Sequence, residues 1–303
     1  MEPAVSIVIP TYNRRDLLAK TLHSLLDQTV DPDIFEVVVV DDGSTDDTPG
    51  LVAEMAARAP WRLHYVRQEN LGRARARNEG ILAAKGRLVI FLDSDMVVRP
   101  GFVQAHLDSH TRPGLIVQGR VITTSNFENP TTEPVKVTDL SRATFDTGNV
   151  SVARQSLLAA GLFDEDFVEY GWEDFELGAR LRGMGLEPTR SGEACSYHLK
   201  RPLNIRSLPG MVRLEKERGR MGVMFFRKHP TMRVRMMVNL HPLTFILDRF
   251  FLAPFHWTER PGTMRLLKRL EAAGNKRLFA FLVFLVRNHA YVQGLREGLA
   301  RYP

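Results

Sequence analysis

The chain has 303 residues, of which 44% are hydrophobic and 25% are charged, and its formal net charge at pH 7 is +6. This composition supplies enough apolar residues for a real core and excludes a disordered or fibrous chain. The single cysteine, Cys195, excludes an intrachain disulfide. The first residues lead into a strand-like run without a basic, apolar signal segment, so we expect a cytoplasmic protein.

The charge is divided unevenly along the chain. Residues 201–303 hold 20 Lys and Arg against 6 Asp and Glu, a net charge of +14, which leaves a net charge of −8 for residues 1–200. Such a split predicts that the last third meets an anionic partner, either a membrane surface, a nucleic acid or an acidic polymer.

The first hundred residues alternate short apolar runs with helical patterns. The runs predict four strands, at residues 5–9, 35–40, 63–66 and 88–92. Three helices are predicted between them, the first capped by Asn13 and the second opened by a capping box at Ser44 and Asp47. Strands that alternate with helices in this way indicate right-handed crossovers and a largely parallel α/β sheet.

Two carboxylates, Asp93 and Asp95, directly follow the fourth predicted strand. Alternate residues of an extended segment point the same way, so both can converge on one divalent cation, which relieves their repulsion. Tyr12 and Asp42 follow two other strands, and parallel strands bring their carboxyl ends to the same edge of the sheet. We therefore predict a metal or nucleotide site at this edge; a plain strand-to-turn exit is the alternative.

No glycine-rich phosphate loop follows the first strand, which continues as PTYNRR. A bound pyrophosphate would then need a metal and cationic side chains to neutralise it. The nearest candidates are Arg73, Arg75 and Arg77, at the start of the third helix. A solvated helix face is the alternative explanation for these arginines.

Two further segments are candidates for binding an acceptor. Gly148 and Asn149 lie beside a strand predicted at 150–152, where a glycine lets the backbone approach a ligand closely, although a bulge is the commoner reason. A polar, turn-rich loop at 123–137 could cover the site. Residues 171–174 are predicted to open a helix that runs to about residue 183, and Trp172 in this opening is suited to stacking on a sugar.

The helical wheel separates the two acids at the start of this helix. Asp174 shares a face with Leu177 and Leu181 and is predicted to point inward, as a general base would. Glu173 shares a face with Glu176 and Arg180 and is predicted to face solvent. A helix N-terminal acid favoured by the macrodipole is the alternative for Asp174.

The last third of the chain contains two apolar stretches. The stretch at 243–255 is interrupted by charge and proline, and 278–286 gives nine apolar residues, so neither is expected to span a bilayer, which needs about 20. Helices lying in an anionic membrane interface, helices packed on the first part of the chain, and an oligomer contact all remain open.

Five motifs occur in order along residues 4–200. They are PTYNRR at 10–15, VVDDGSTDDT at 39–48, NLGRARARNEG at 70–80, FLDSDMVV at 91–98 and YGWEDFELGARL at 170–181. Together they closely resemble the nucleotide-sugar glycosyltransferases of family 2, which are inverting enzymes of GT-A fold. The last motif is similar to the acceptor-side segment of chondroitin polymerase and polypeptide N-acetylgalactosaminyltransferase domains.

The resemblance implies a GT-A fold: a Rossmann-like, mostly parallel mixed sheet flanked by helices. We expect a catalytic domain at 1–200, with a nucleotide-binding half at 1–98 and an acceptor-binding half at 99–200. A basic α-helical extension would follow at 201–303. No nucleic acid is expected as a partner, and the enzyme would work in the cytoplasm or at the inner face of the membrane.

The resemblance also implies a role for each site residue. Asp174 would be the general base, and Asp95 with His198 would bind Mn²⁺ or Mg²⁺. The donor, which the resemblance implies is a UDP-sugar, would be bound by Pro10, Tyr12, Asp42, Arg73, Asp93 and Ser94. The spacing of Arg73, Arg75 and Arg77 leaves open which of these three arginines binds phosphate. The glycan or lipid-linked acceptor would meet Trp172, Glu173, Gly148 and Asn149. The competing function is a non-catalytic binder that senses nucleotide sugar while its basic tail holds an anionic polymer or membrane.

Overall fold

The computed structural model of the chain describes residues 2–135, 139, 145–200, 202–252 and 261–302, without the side chains of 251 and 252. Residues 136–137 of the predicted covering loop, the predicted boundary at 201 and residues 253–255 of the first apolar stretch lie outside the described residues. The chain forms two compact units, Met1–Val168 with Glu173–Arg201, and Glu169–Trp172 with Pro202–Pro303.

The first unit contains an eight-stranded mixed sheet. Its strands are β1 (Val5–Thr11), β2 (Phe35–Asp41), β3 (Arg62–Arg67), β4 (Leu88–Leu92), β5 (Met96–Val98), β6 (Leu115–Thr124), β7 (Asn149–Ala153) and β8 (Glu187–Leu199). Their spatial order is β3-β2-β1-β4-β7-β6-β8-β5. Strands β3, β2, β1 and β4 are parallel, and β7 joins β4 in the antiparallel direction. The four predicted strands are confirmed, each within two residues.

Strands β1, β2 and β4 are mostly apolar on both faces because helices cover both faces of the sheet. Along β1, Ile7 and Ile9 enter one core, whereas Val8 enters the core on the opposite face. The helices of this unit are α1 (Arg15–Leu26), α2 (Thr48–Arg58), α3 (Arg73–Ala83), α4 (Phe102–Ser109), α5 (Arg154–Ala159) and α6 (Glu173–Gly183).

Both predicted helix caps are wrong. Helix α1 has Arg14 at its N-cap, and Asn13 adopts a left-handed conformation, with φ at 51°, so that its Oδ1 accepts from the backbone N–H groups of Thr45 and Asp46. The Ser44 hydroxyl accepts from the backbone N–H of Asn13 and does not cap α2. These side chains connect the loops after β1 and β2, which stabilises the edge of the sheet where the candidate site lies.

The second unit is helical where the structure describes it. Its helices are α7 (Leu208–Lys228), α8 (Met232–Met237), α9 (Pro242–Leu247), α10 (Pro261–Ala272) and α11 (Lys276–Arg301), with a short π-helix at Asp248–Leu252 after α9. Helix α7 packs closely on α11, since a Cβ on Gly219 or Gly294 would overlap the backbone of the facing helix.

Helix α11 differs from the expectation for its apolar stretch. By length and composition alone this 26-residue helix could cross a membrane, although 56% of its most apolar window is buried inside the protein. A core helix meets the same criteria, so no membrane span follows from it. The nine contiguous apolar residues at 278–286 are only part of this helix, which continues past Arg287 to Arg301.

Candidate active site

The carboxyl ends of β1, β2 and β4 lie at one edge of the sheet and position the candidate donor site. Tyr12, just beyond β1, is 45% exposed and presents its ring at this edge. Pro10 is the partly buried penultimate residue of β1, and Asp42 directly follows β2. The order of the parallel strands thus brings together residues that are far apart in sequence.

Asp42 is held by the loop that leads into α3. Its Oδ1 accepts from Gln68 Nε2 at 2.6 Å and from the Leu71 N–H at 2.9 Å, and its Oδ2 accepts from the Gly72 N–H at 3.1 Å. Sequence analysis missed Gln68, whose only signal is its position just after β3, beside β2. A nucleobase that binds Asp42 would therefore compete with Gln68 for the same carboxylate.

The two aspartates after β4 do not follow the predicted extended path. The Met96 N–H donates to the Asp93 carbonyl at 3.2 Å, which closes a turn over residues 93–96. Asp93 therefore meets Arg77, whose Nη2 donates to Asp93 Oδ1 at 3.4 Å, whereas Asp95 meets different partners. Ser94, between them, is buried.

Asp95 lies between a cation and an imidazole. Arg14 Nη1 donates to Asp95 Oδ2 at 2.6 Å, and His198 Nε2 lies 3.5 Å from the same oxygen. Burial raises the pKa of Asp95, but the interactions with His198 and Arg14 outweigh it and lower the pKa overall. In return, the Asp95 carboxylate raises the pKa of His198.

The Asp95 and His198 pair has the chemistry of a partial metal site. Asp95 Oδ1 is buried and has no hydrogen-bond partner among the described residues, so a hard cation fits it. Strand pairing fixes the imidazole, because His198 in β8 is in register with Met96, the residue after Asp95. Within the described part of the chain, no group of three or more His, Cys, Asp or Glu side chains could hold a metal. Oxygen ligands from a bound diphosphate would have to complete the coordination.

Arg77 is the central cation of the site, although its two neighbours in the motif are exposed. Its guanidinium is 4% exposed, and its Nη1 donates to Glu173 Oε1 at 2.9 Å. It therefore connects Asp93, after β4, with the first residue of α6. The solvated-face alternative is wrong for Arg77; Arg73 is exposed, and exposed Arg75 pairs with Glu165 at 3.2 Å.

The wheel prediction that Glu173 faces solvent is wrong. Glu173 is 5% exposed, because the first turn of α6 faces Arg77 of α3. Glu176 is also buried, although its predicted i, i+4 pair with Arg180 is present. The buried position of Glu173 leaves one of its carboxylate oxygens without a hydrogen-bond partner among the described residues.

Asp174 is partly buried beside other acids. Burial, followed by the charges of Glu173 and Asp146, raises the pKa of Asp174 well above 3.8, while Arg77 and the Phe175 N–H oppose this shift. A carboxyl group with a raised pKa is suited to accepting a proton near neutral pH.

Asp146 is a site residue that sequence analysis missed. Burial raises the pKa of Asp146, and the charge of Asp93 adds to this effect, while Arg77 and His198 lower the pKa. These interactions make Asp146 the electrostatic neighbour of both Asp174 and the Asp93 end of the site. Its only sequence signal is its position two residues before Gly148.

Gly148 lies in the site, whereas the Asn149 side chain is turned into the sheet. A Cβ on Gly148 would lie 3.6 Å from Asp93 Oδ2 and 2.9 Å from Met96 Cε, so a side chain there would fill the space beside Asp93. Asn149 is fully buried, and its amide donates to the Arg120 and Ala194 carbonyls. We therefore leave the Asn149 side chain out of the acceptor site.

Trp172 belongs to the second unit and is 5% exposed. Its ring stacks on Phe225 with centroids 5.9 Å apart, the Arg218 guanidinium lies 5.2 Å from its centroid, and its Nε1 donates to the Arg218 carbonyl at 2.8 Å. The predicted acceptor platform would require uncovering of this ring, so the role of Trp172 stays a prediction.

Comparison with known proteins adds independent information. The family model described as "Glycosyl transferase family 2" matches residues 6–158. Validoxylamine A glucosyltransferase of Streptomyces hygroscopicus subsp. limoneus is 35% identical over 269 residues, covering 76% of this chain and 58% of that protein. Chondroitin synthase of Escherichia coli is 32% identical over 244 residues, covering 65% and 35%. The chain spans about three fifths of the length of the first curated relatives it matches.

The fold is also shared with a solved glycosyltransferase. A mannosyltransferase from Pyrobaculum calidifontis, solved in complex with GDP-Man and Mn²⁺, superposes with a TM-score of 0.68 at 18% identity, covering 100% of this chain and 89% of that one. The predicted α/β architecture of GT-A type is confirmed by this likeness and by the mixed sheet.

Proposed function

Because this chain belongs to glycosyl transferase family 2, we propose that it transfers a sugar from a nucleoside diphosphate donor to an acceptor hydroxyl. The donor is proposed to be a UDP-sugar and the acceptor a glycan or a lipid-linked sugar. The observation that carries this proposal is the bridge made by Arg77, whose Nη2 lies 3.4 Å from Asp93 Oδ1 and whose Nη1 lies 2.9 Å from Oε1 of Glu173, the residue before Asp174. Asp174, the proposed base, thus follows a residue that is tied to the edge of the sheet where a diphosphate would bind, and its raised pKa suits it to accept a proton.

The chemistry proposed for Asp174 is inverting transfer in one step. Its carboxylate accepts the proton of the acceptor hydroxyl as that oxygen forms a bond to the anomeric carbon. The bond from the anomeric carbon to the donor phosphate breaks on the opposite side, and the nucleoside diphosphate leaves with its electron pair. A single base suffices because no covalent sugar intermediate forms.

The donor is proposed to lie across the ends of β1, β2 and β4. The exposed ring of Tyr12 would stack on the base, beside Pro10 and Asp42, and the ribose would lie near Asp93 and Ser94. Arg73, exposed at the start of α3, is proposed for the pyrophosphate, as the resemblance to family 2 glycosyltransferases implies.

Asp95 and His198 are the residues that would hold a divalent cation, Mn²⁺ or Mg²⁺. When bound, such a cation supplies positive charge to the departing diphosphate. Arg14 already donates to Asp95 Oδ2, which leaves the unpartnered Oδ1 as the oxygen for the cation. On the acceptor side, a side chain at Gly148 would crowd Met96 and Asp93, so this glycine is proposed to let the acceptor approach, and Glu173 to fix the start of α6.

The test of this function is a donor panel. Purified protein is incubated with UDP- and GDP-sugars, with and without Mn²⁺, and release of nucleoside diphosphate is measured with and without candidate acceptors. The proposal predicts metal-dependent release that one donor dominates. The competing function, a non-catalytic binder, predicts donor binding without release under every condition.

The His198→Ala variant is expected to raise the metal concentration needed for half-maximal activity by on the order of 10- to 100-fold, because a ligand is lost. Activity at saturating metal should be affected less. His23→Ala, in α1, is the control and should keep the wild-type metal titration. An unchanged titration in His198→Ala would remove His198 from the metal site.

A further inference from the structure

The segment formed by α9 and the π-helix after it exposes its apolar stripe. Four large apolar side chains follow the i, i+3, i+4, i+7 spacing of one helix face, and each is between 46% and 67% exposed. They are Leu243, Ile246, Leu247 and Phe250. A surface helix of a globular protein places such a stripe toward its core, so this segment is oriented the opposite way.

The inward side of the same segment is polar and anchored. Asp248 is 1% exposed; its Oδ1 lies 2.6 Å from His289 Nδ1, and its Oδ2 lies 2.8 Å from Arg296 Nη1. The Arg296 guanidinium also lies 5.8 Å from the centroid of the Phe245 ring. These contacts hold the segment against α11 and fix the orientation that exposes the stripe.

The sequence around the stripe is cationic. Residues 231–250 contain three arginines, and their only acidic residue is the buried Asp248. Arg233 and Arg249 are exposed, as are the apolar side chains of Met232 and Met236 in α8.

Helix α11, on which the π-helix packs, exposes a second apolar row that begins next to two exposed cations. This row comprises Leu278, Phe281 and Phe284, and the cations are Lys276 and Arg277.

We propose that this surface docks on an anionic lipid bilayer, with the stripe immersed in the boundary between headgroups and acyl chains. Lipid phosphates would lie against Arg233 and Arg249, as they do on interfacial amphipathic helices. A second copy of the chain is disfavoured as the occupant because residues 201–303 carry a net charge of +14, which two copies would bring together. The proposal is independent of the sugar-transfer chemistry.

The test is co-sedimentation of the full chain with phosphatidylcholine vesicles that contain or lack phosphatidylglycerol. We expect binding to the anionic vesicles that weakens with added salt. The triple variant Leu243→Gln, Ile246→Gln, Phe250→Gln should lower the partition coefficient by on the order of 100-fold, since it removes most of the immersed apolar surface. Its three side chains are exposed, so the fold should be preserved.

Two control variants separate the contributions. Leu82→Gln, Leu158→Gln, Met184→Gln removes three exposed apolar side chains from the first unit and should leave vesicle binding unchanged. Arg233→Gln, Arg249→Gln should reduce the preference for anionic over neutral vesicles.

Two results would overturn the docking proposal. One is wild-type protein that stays in the supernatant with anionic vesicles, or a stripe variant that binds as tightly as wild type. The other is a wild-type protein that does not bind vesicles but is a dimer by light scattering, whereas the stripe variant is a monomer. This result would assign the surface to a second copy.

Discussion

The Asp174→Asn variant is expected to lose between about 10² and 10⁴ in turnover number, the usual effect of removing a general base. The amide occupies the same volume but cannot accept the proton of the acceptor hydroxyl. Affinity for the nucleoside diphosphate should stay close to wild type, because Asp174 is proposed to meet the acceptor. Steady-state kinetics with the donor found by the panel, together with calorimetric titration of the diphosphate, measure both quantities.

The same variant should be more stable than wild type at neutral pH. The pKa of Asp174 is raised in the folded state by burial and by Glu173 and Asp146. Ionising this carboxyl therefore destabilises the folded state. Wild type loses stability for this reason as the pH rises from the pKa of the group in the unfolded chain to its pKa in the folded protein. The amide carries no such cost, so the gain in melting temperature should grow with pH.

A matched control and one clear result decide this prediction. Asp33→Asn, an exposed acid before β2, should change neither turnover nor the pH dependence of stability. A stable Asp174→Asn protein with wild-type turnover would remove Asp174 from its proposed role. In wild type, turnover should rise with pH through the raised pKa, because only the carboxylate accepts the proton.

Strands β1, β2 and β4 could be predicted from sequence because they are mostly apolar on both faces. The apolar run at 88–92 coincides with strand β4 at both of its ends, since Gly86 precedes it and charged residues follow it. The parallel order of β1 and β2 also predicted that Tyr12 and Asp42 lie at the same edge of the sheet.

Partners that meet across elements could not be predicted. The wheel of α6 records which residues share a face, but it does not show that the face of Glu173 meets the Arg77 guanidinium. Similarly, the predicted extended path for Asp93 and Asp95 does not include the turn that the Met96 N–H closes. The turn sends the two carboxylates to different cations, which the residue types alone do not specify.

The second large effect expected is on stability, in Arg77→Met. Breaking a buried ion pair by removing one partner costs about 3–5 kcal/mol, because it leaves the other charge buried and unpaired. Here the abandoned charge is Glu173, 5% exposed. Arg75→Met, two residues earlier in α3, is the control: its pair with Glu165 is nearly half exposed on both sides, so its loss should cost at most about 1 kcal/mol. Chemical denaturation measures the free energy of unfolding of both.

The double variant Arg77→Met, Glu173→Leu separates the structural role of the pair from its role in catalysis. Replacing both charges with apolar residues of similar volume should recover most of the lost stability, as is common for buried pairs. Activity should not recover, because Asp93 also loses its cation. Arg77→Met alone should shift the rise of activity to higher pH, since the Arg77 charge no longer lowers the pKa of Asp174 while Glu173 remains to raise it. Equal losses of stability in Arg77→Met and Arg75→Met would show that the bridge from Asp93 to α6 does not hold the site together.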